Sequence, residues 1–211
     1  MRYIIFDLDN TLYPKEIGLF TLVDQRINEY IKTRLDIDHD LVENLRLNYM
    51  DEYGTTLGGL IVHHEVDPDE YLNFVHDIDL EEILSDDLEL RGLLERIAID
   101  KVIFTNGSSN HATRVLKTLG IKDCFPRIFD IKFMDYVAKP APRSYQKVLD
   151  ALGVDGTECL LIEDLARNLL PAKRLGMTTV LIGEEKSSGI DFTIEDIFGI
   201  DRVLDKMGLS D

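Results

Sequence analysis

Two carboxylates, Asp7 and Asp9, stand two residues apart in the stretch FDLDNTLYP at residues 6–14. The stretch follows directly on the apolar run YII at residues 3–5, so both carboxylates come at the end of the first expected strand. Carboxylates this close repel each other and destabilise the strand end unless positive charge lies beside them. The pair therefore predicts a nearby cation.

Polar groups also follow later strands of the chain. Thr105 and Asn106 come after the second expected strand, Glu163 and Asp164 stand at the end of the fourth, and Lys139 lies in the loop AKPAP after the third. Ligands of an open parallel sheet bind outside the carboxyl ends of its strands, so we expect these groups to meet at one edge. Carboxylates, a hydroxyl, backbone donors and one ammonium together suit a hard divalent cation and a phosphoryl group.

The elements that must position these groups are read from periodicity. Short apolar runs rich in β-branched residues predict five strands, at residues 3–7, 101–105, 127–131, 159–163 and 178–182. Helical patterns between them cover about 110–119, 142–152 and 168–175, and each ends at a glycine, which is a usual C-terminal signal. Strand alternating with helix predicts an α/β fold with a doubly wound, Rossmann-like parallel sheet.

The connection between the first two strands is too long for a loop. Residues from about 18 to 79 have helical periodicity with no comparable strand among them, which predicts an inserted helical cap domain. We expect the cap to cover residues 16–84, and the α/β core to comprise 1–15 and 85–211. The acidic runs at 77–87 and 190–205 are interpreted as solvated helix faces and tails.

The composition limits the possible partners. The 211 residues carry a net charge of −17, from 40 acidic and 23 basic residues, which argues against nucleic acid and anionic membranes. No apolar stretch approaches the roughly 20 residues that span a bilayer, and no secretory signal is expected after Met1. Cys124 and Cys159 lack metal-ligand spacing and are predicted to be buried free thiols, which fits a reducing compartment. We expect a cytoplasmic protein that acts on a small molecule.

Each of these features alone has an ordinary explanation. An Asp-x-Asp pair also occurs in glycosyltransferases and calcium loops, although here Leu12 replaces the loop glycine and Gly18 replaces the bidentate glutamate of a calcium loop. A lysine before a proline is most often a solvated loop residue, and acidic residues at 163–164 could simply favour a helix N-terminus. The hypothesis of a site depends on all of these features meeting at one edge of the sheet.

The four motifs DLDNT, TNG, KP and IEDLARN, in this order, resemble those of the haloacid dehalogenase superfamily of phosphatases. The helical insertion after the first motif also resembles the cap of that family. The stretches YGTTLGGL at 53–60, VDPDEYLNFVHDI at 66–78 and RNLLPAKRLGM at 167–177 are similar to its pyrimidine 5'-nucleotidase branch. The resemblance covers nearly the whole chain.

The resemblance implies a role for each matching residue. Asp7 would be the nucleophile that forms an aspartyl-phosphate, and Asp9 would be the general acid and then the base that activates water. Mg²⁺ would be held by the carboxylate of Asp7, the backbone carbonyl of Asp9 and Asp164. Thr105 and the amide of Asn106 would bind the phosphoryl oxygens.

The same resemblance implies supporting roles. Lys139 would offset the charge on the phosphate and on Asp7, Thr11 would tie the loop by a hydroxyl-to-backbone bond, and Glu163 would support the metal from behind its direct ligands. Glu163 departs from the aspartate that is commoner in this branch. Leu165 departs from a small polar residue.

The function implied is a magnesium-dependent phosphomonoesterase acting on pyrimidine nucleoside 5'-monophosphates. The alternatives are a sugar-phosphate phosphatase or a phosphoglucomutase of the same superfamily, a phospho-accepting receiver-type module, and an inactive ligand-binding relative. Dehalogenation is disfavoured because the dehalogenases of the family lack the second aspartate, Asp9.

The remaining polar and aromatic residues receive less specific predictions. The cap segment 53–56 is the stretch that we expect to read the leaving group. His63 and His64 are adjacent, so they cannot share one helix face and are not expected to bind metal. His76 and His111 receive no role, and Tyr13 is expected only to pack.

Overall fold

The computed structural model describes residues 1–183 and 187–209, apart from the side chain of His39. Within these ranges the strands form one six-stranded sheet in the order β3-β2-β1-β4-β5-β6, with every neighbouring pair parallel. The strands are β1 (Tyr3–Phe6), β2 (Asp100–Phe104), β3 (Arg127–Phe129), β4 (Cys159–Glu163), β5 (Thr178–Ile182) and β6 (Phe192–Ile194). The predicted parallel sheet is therefore confirmed, and β1 lies inside it between β2 and β4.

Helices cover both faces of the sheet. They are α5 (Leu88–Arg96), α6 (Ser109–Thr118), α7 (Pro142–Leu152), α8 (Ala166–Arg174) and α9 (Ile200–Met207). Successive strand residues point to opposite faces, so Ile4 and Phe6 join a core with α5, α6 and α9, whereas Ile5 joins a core with α7 and α8. All five residues of β4 are buried, as expected of a strand that is covered on both faces.

The strand predictions were mostly correct, whereas the predictions for the acidic segments 77–87 and 190–205 were less accurate. β4 and β5 have the predicted bounds, and the other three predicted strands differ at their ends by one or two residues. The prediction of solvated helix faces and tails at 190–205 was only partly right, because the segment also contains β6, and α9 buries Ile200, Val203 and Leu204 on its other face. The stretch 77–87 contains no helix, and α5, which follows it, was not predicted.

The segment between β1 and α5 is helical, as predicted. Its helices are α1 (Leu19–Arg34), α2 (His39–Tyr53), α3 (Thr56–His64) and α4 (Pro68–Val75). Tyr30 of α1 and Tyr71 of α4 meet edge to face at 5.0 Å inside this group, and both are buried. The cap boundaries at 16 and 84 stay a prediction.

The cap helices touch the core beside the carboxyl ends of the strands. Arg114 of α6 donates hydrogen bonds to the carbonyl oxygens of His76 and Ile78, just after α4. Gly54, which ends α2 with φ +80°, lies so close to the core that an added Cβ would be 3.0 Å from the carbonyl oxygen of Lys139. Only glycine combines this backbone conformation with so close an approach.

Two further findings concern membrane-spanning helices and the two cysteines. No helix in the described part of the chain is long and apolar enough to cross a membrane. Cys124 and Cys159 are both free thiols; Cys159 is buried, as predicted, while Cys124 is only partly buried.

Candidate active site

The predicted site residues come together because their strands are neighbours. Asp7 follows β1, Thr105 follows β2, and Asp164 follows β4, and these three strands are adjacent in the sheet. They border a cavity of about 690 Å³ whose opposite wall comes from the cap. The predicted site residues that line it are Asp7, Asp9, Thr105, Asn106, Lys139 and Asp164.

Lys139 is the cation that the paired carboxylates of Asp7 and Asp9 predict. Its Nζ lies 2.7 Å from Oδ1 of Asp7, 2.9 Å from Oε1 of Glu163 and 2.9 Å from the carbonyl oxygen of Phe104, to all of which it donates. Its exposed fraction is only 1%. Burial alone would lower the pKa of Lys139, but the negative charges of Asp7 and Glu163 outweigh it and raise the pKa above its usual value. The lysine is therefore a permanent buried cation, not a solvated loop residue.

The side chain of Asn106 holds the loop that carries Lys139. Its Nδ2 donates to the carbonyl oxygen of Lys139 at 3.1 Å, and its Oδ1 accepts from the backbone N–H of Lys139 at 2.8 Å. This pairing uses Oδ1 and one of the two Nδ2 protons, so it holds the side chain of Asn106 against the loop. The hydroxyl oxygen of Thr105 accepts from the N–H of Gly107 at 2.9 Å, and no described residue accepts its proton.

Three carboxyl groups cluster beside Lys139. Oxygens of Asp7, Glu163 and Asp164 all lie within 4.8 Å of one another. Burial, which the attraction of Lys139 only partly opposes, raises the pKa of Asp7 well above its usual range. Burial and the neighbouring charge of Glu163 raise the pKa of Asp164 to about 7. The cluster therefore has more negative charge than Lys139 can balance, and its oxygen donors fit a hard divalent cation such as Mg²⁺.

The carboxylate of Glu163 is already occupied on both oxygens. Oε1 accepts from Lys139 and from Nδ2 of Asn168, and Oε2 accepts from the N–H of Leu165 at 2.6 Å. Within the described residues, Asp164 by contrast accepts a long hydrogen bond of 3.4 Å from Nδ2 of Asn10. Of the two acidic residues at the end of β4, Asp164 therefore has the oxygens that a metal could use.

Thr11 has a different partner from the one expected. Its hydroxyl donates to Oδ2 of Asp7 at 3.2 Å, whereas a bond to the backbone was predicted. The interaction fixes the carboxylate of Asp7 from the side opposite Lys139, which binds Oδ1.

Asp9 has hydrogen-bond partners of its own, and sequence reasoning missed both of them. Its Oδ1 accepts from the hydroxyl of Tyr13 at 2.6 Å and lies 3.1 Å from Nε2 of His111. Burial would raise the pKa of Asp9, but His111 and the hydroxyl of Tyr13 together lower it below its usual value. Asp7 and Asp9 thus have opposite pKa shifts despite being two residues apart.

The other histidines divide into two groups. The ring of His76, just after α4, stacks on His111 at 4.2 Å, and its Nδ1 lies 3.2 Å from the hydroxyl of Ser108. His63 and His64 instead lie within hydrogen-bond distance of the hydroxyls of two cap tyrosines, Tyr53 and Tyr49 respectively. Neither of these two lines the cavity.

The cap segment 53–56 only partly faces the site. Gly54, Thr55 and Thr56 line the cavity, whereas Tyr53 lines an adjoining cavity of about 610 Å³. The hydroxyl of Thr55 caps α3 by accepting from the N–H of Gly58 at 3.1 Å.

Comparison with known proteins decides the family. The model of the haloacid dehalogenase-like hydrolases matches residues 1–176, which include every residue of the site. The chain belongs to the haloacid dehalogenase-like hydrolase family.

Similar proteins place this member of the haloacid dehalogenase-like hydrolases among diverse relatives. Phosphate metabolism protein 8 of Saccharomyces cerevisiae is 31% identical over 195 residues, which cover 85% of this chain and 61% of the yeast protein. The chain thus spans about three-fifths of the length of that relative.

Two solved structures share the fold at low identity. A HAD phosphatase from Thermococcus onnurineus is 20% identical with a TM-score of 0.65, and the match covers 97% of this chain and 98% of that chain. L-2-haloacid dehalogenase from Xanthobacter autotrophicus is 15% identical with a TM-score of 0.63, covering 98% and 99%. Because the two structures carry different activities, the chemistry of this haloacid dehalogenase-like hydrolase has to be argued from its own residues.

Proposed function

We propose that the chain is a magnesium-dependent phosphomonoester hydrolase that works through an aspartyl-phosphate on Asp7. The observation that carries this proposal is the position of Asp7, which lies against the buried ammonium of Lys139 and beside the carboxyl group of Asp164. Asp9 stands next to it on separate hydrogen bonds. A nucleophile, a cation site and a separate proton donor thus border one cavity.

The residues divide the reaction into two displacements at phosphorus. In the first, a carboxylate oxygen of Asp7 bonds to phosphorus while the bond to the leaving oxygen breaks, and Asp9 gives that oxygen a proton. In the second, Asp9 takes a proton from a water molecule, whose oxygen attacks phosphorus and breaks the bond to Asp7. Asp9 ends each cycle protonated, ready for the next substrate.

The phosphoryl oxygens need donors and positive charge. The hydroxyl of Thr105 and the backbone N–H of Asn106 are the donors, and Lys139 offsets negative charge on Asp7 and the phosphoryl group. Mg²⁺, held by Asp7, Asp164 and the backbone carbonyl of Asp9, would supply further charge compensation.

The two aspartates need opposite protonation states, and their surroundings differ accordingly. Lys139 partly opposes the effect of burial on the pKa of Asp7, and a bound divalent cation would oppose it further, which favours the carboxylate. In the free site the pKa of Asp9 is low because of its partners. A bound phosphate dianion would raise it, since a nearby negative charge favours the protonated form of a carboxyl group. Substrate itself would therefore favour the acid form of Asp9.

We propose a pyrimidine nucleoside 5'-monophosphate as the substrate. The cavity of about 690 Å³ is in the usual range of roughly 300–1,000 Å³ for small-molecule sites. Its cap wall includes apolar side chains that could contact a base, among them Phe20, Ile27, Met50 and Leu57. The resemblance of residues 53–60 and 66–78 to the pyrimidine 5'-nucleotidase branch supports the same choice.

The strongly acidic chain still offers positive charge to an anionic substrate. Lys15, Arg46, Lys139 and Arg167 all line the cavity. Arg46 is paired with Asp24, but Lys15 and Arg167 form no ion pair within residues 1–183 and 187–209. These two side chains are the local patch that a phosphorylated ligand requires against a net charge of −17.

A phosphate-release assay tests the proposal. Purified protein is given UMP, CMP and their deoxy forms, a purine nucleotide and hexose phosphates, each with Mg²⁺ and with a chelator, and Asp7→Asn serves as the blank. We expect release from UMP and CMP that requires metal. Equal turnover with chelator would reject the mechanism, and preference for hexose phosphates would replace the substrate class by a sugar phosphate. Release of phosphate from a hexose phosphate in the absence of a sugar bisphosphate would also exclude the phosphoglucomutase alternative.

The setting that we propose is the cytoplasm, with a small molecule as the partner. Two free thiols fit a reducing compartment. The excess of acidic residues disfavours binding to nucleic acid or to anionic membranes.

A further inference from the structure

Both hydrogen-bond partners of Asp9 meet the same carboxyl oxygen. The hydroxyl of Tyr13 and Nε2 of His111 lie 2.6 and 3.1 Å from Oδ1. Oδ2 accepts no hydrogen bond from the described residues. It lies toward Gly107 on the cavity wall, since a Cβ built on that glycine would be 3.8 Å from it. The two oxygens of Asp9 therefore have different surroundings.

The two ring nitrogens of His111 have different surroundings. The residue is 1% exposed, and its Nδ1 has no partner in the part of the chain that the structure describes. Nε2 instead faces Oδ1 of Asp9 at 3.1 Å, so it is the ring nitrogen that can donate a hydrogen bond to this carboxyl oxygen.

The ring of His111 is held in place by a residue of the cap. His76 stacks on it at 4.2 Å with an angle of 13° between the rings, and Ser108 lies within hydrogen-bond distance of His76. Burial lowers the pKa of His76 to about 3, so this neighbour is neutral and does not repel the ring of His111. Nε2 of His111 therefore points at Asp9 from a fixed direction.

We propose that His111 and Tyr13 are positioning residues that hold Oδ1 of Asp9, so that Oδ2 is the oxygen that exchanges the proton with the leaving group and with water. The inference rests on the proposed phosphatase function. When Asp9 is protonated on Oδ2, Oδ1 is a carbonyl oxygen that accepts both hydrogen bonds. When the proton has passed to the leaving oxygen, the same two bonds stabilise the carboxylate. The carboxyl group thus keeps one orientation through both half-reactions.

Leaving-group chemistry separates this role from a structural one. A nucleoside 5'-alkoxide is a poor leaving group and needs its proton, whereas an aryl phosphate such as p-nitrophenyl phosphate releases a stable anion. For His111→Ala we expect kcat on UMP to fall about 10- to 100-fold with KM within about twofold, because the phosphoryl contacts are unchanged. On p-nitrophenyl phosphate the first half-reaction, followed as a burst, should slow less than about threefold.

Variants that keep or remove one donor sharpen the test. His111→Gln can still donate from its amide and should recover part of the kcat on UMP. Tyr13→Phe removes one hydroxyl and should again lower kcat on UMP more than the burst rate on p-nitrophenyl phosphate. His63→Gln, in the cap and outside the cavity, is the control and should leave both activities unchanged. Unfolding curves identify any variant that fails to fold, and Tyr13→Phe, which keeps the ring, then decides the matter.

The possible outcomes are distinct from failure of the proposed function. In variants that fold, an equal loss of rate on UMP and on p-nitrophenyl phosphate, or a change confined to KM, would overturn the positioning role. Phosphate release by the wild-type protein would still support the phosphatase function. Wild-type protein that releases phosphate from neither substrate would reject the function, and the positioning role with it.

Discussion

Asn106 binds the backbone of Lys139 at both its N–H and its carbonyl oxygen, at 2.8 and 3.1 Å. The two residues are 33 positions apart in the sequence, and one side-chain amide joins the end of β2 to the loop after β3. The position of the lysine ammonium against Asp7 therefore depends on the side chain of a residue that was predicted to bind substrate through its amide.

Replacing Asn106 by alanine should lower both stability and turnover. The backbone N–H and carbonyl of Lys139 lose their partner, which should cost about 1–3 kcal/mol of the free energy of unfolding. A displaced ammonium should reduce kcat by about 10- to 100-fold. Urea unfolding and phosphate release measure the two effects. Asn110→Ala, at an exposed position four residues later, should change neither by much. Unaltered kcat in Asn106→Ala would mean that the loop keeps its shape without the amide.

Replacing Lys139 by methionine should destabilise the fold as well as abolish activity. Asp7 and Glu163 would stay buried without the ammonium that balances them, and breaking a buried ion pair in this way costs about 3–5 kcal/mol. Urea unfolding at neutral pH measures the loss.

Lys147→Met is the matched control for this substitution. Its ammonium pairs with Asp135 at the surface, where an ion pair contributes at most about 1 kcal/mol. If Lys139→Met and Lys147→Met lower the free energy of unfolding equally, the buried contacts of Lys139 would contribute no more to stability than a surface ion pair.

Binding of Mg²⁺ should depend on pH through Asp164. Its pKa of about 7 in the metal-free protein means that the carboxyl group is partly protonated at neutral pH, and a metal must displace that proton. Affinity should therefore rise between pH 6 and pH 8. The same raised pKa makes the metal-free fold lose stability as pH rises from about 4 through about 7.

Calorimetry of Mg²⁺ binding in buffers of different ionisation enthalpy measures this proton release. Asp164→Asn should bind weakly and release no proton from this position. Tight binding by wild-type protein with no proton release at pH 7 would contradict the assignment of Asp164 as a ligand.

The covalent intermediate should be found on Asp7 and should accumulate when Asp9 is changed. Asp7→Asn should lose at least about 10³-fold in kcat while keeping its fold, because the amide is close in shape to the carboxylate. Asp9→Asn should still accept a phosphoryl group from p-nitrophenyl phosphate, whose leaving group needs no acid, and should then fail to activate water. Mass spectrometry of acid-quenched protein should find the phosphoryl group on the peptide that contains Asp7. A phosphoryl group on another residue would remove Asp7 from the role of nucleophile.

The sequence predicts the parts of the site that follow directly from strand order. The sequence alone brings Asp7, Thr105 and Asp164 together because each follows a strand, and parallel strands end at one edge. The partners of those groups could not be found in this way. Whether the hydroxyl of Thr11 bonds to a carboxylate or to a backbone group depends on differences of about 1 Å in atomic position. The periodicity of a sequence does not determine positions that finely.

Two misses did have a signal in the sequence. His111 is in the first turn of a helix that begins just after β2, and such a turn faces the site in this fold class. The spacing of Ile200, Val203 and Leu204 is that of an amphipathic helix, but the surrounding acidic residues were given more weight. By contrast, the stacking of His76 on His111 joins cap to core and has no counterpart in local sequence.

The ammonium of Lys139 contacts groups at the ends of three adjacent strands: Asp7 after β1, the carbonyl of Phe104 on β2 and Glu163 on β4. Cells degrade chains that unfold too often, so the level of a protein falls as its stability falls. An organism with a substitution at this lysine would therefore contain little of the protein, instead of a normal amount of inactive enzyme. Surveys of variants scored by protein abundance should rank this position as severely as surveys scored by catalysis.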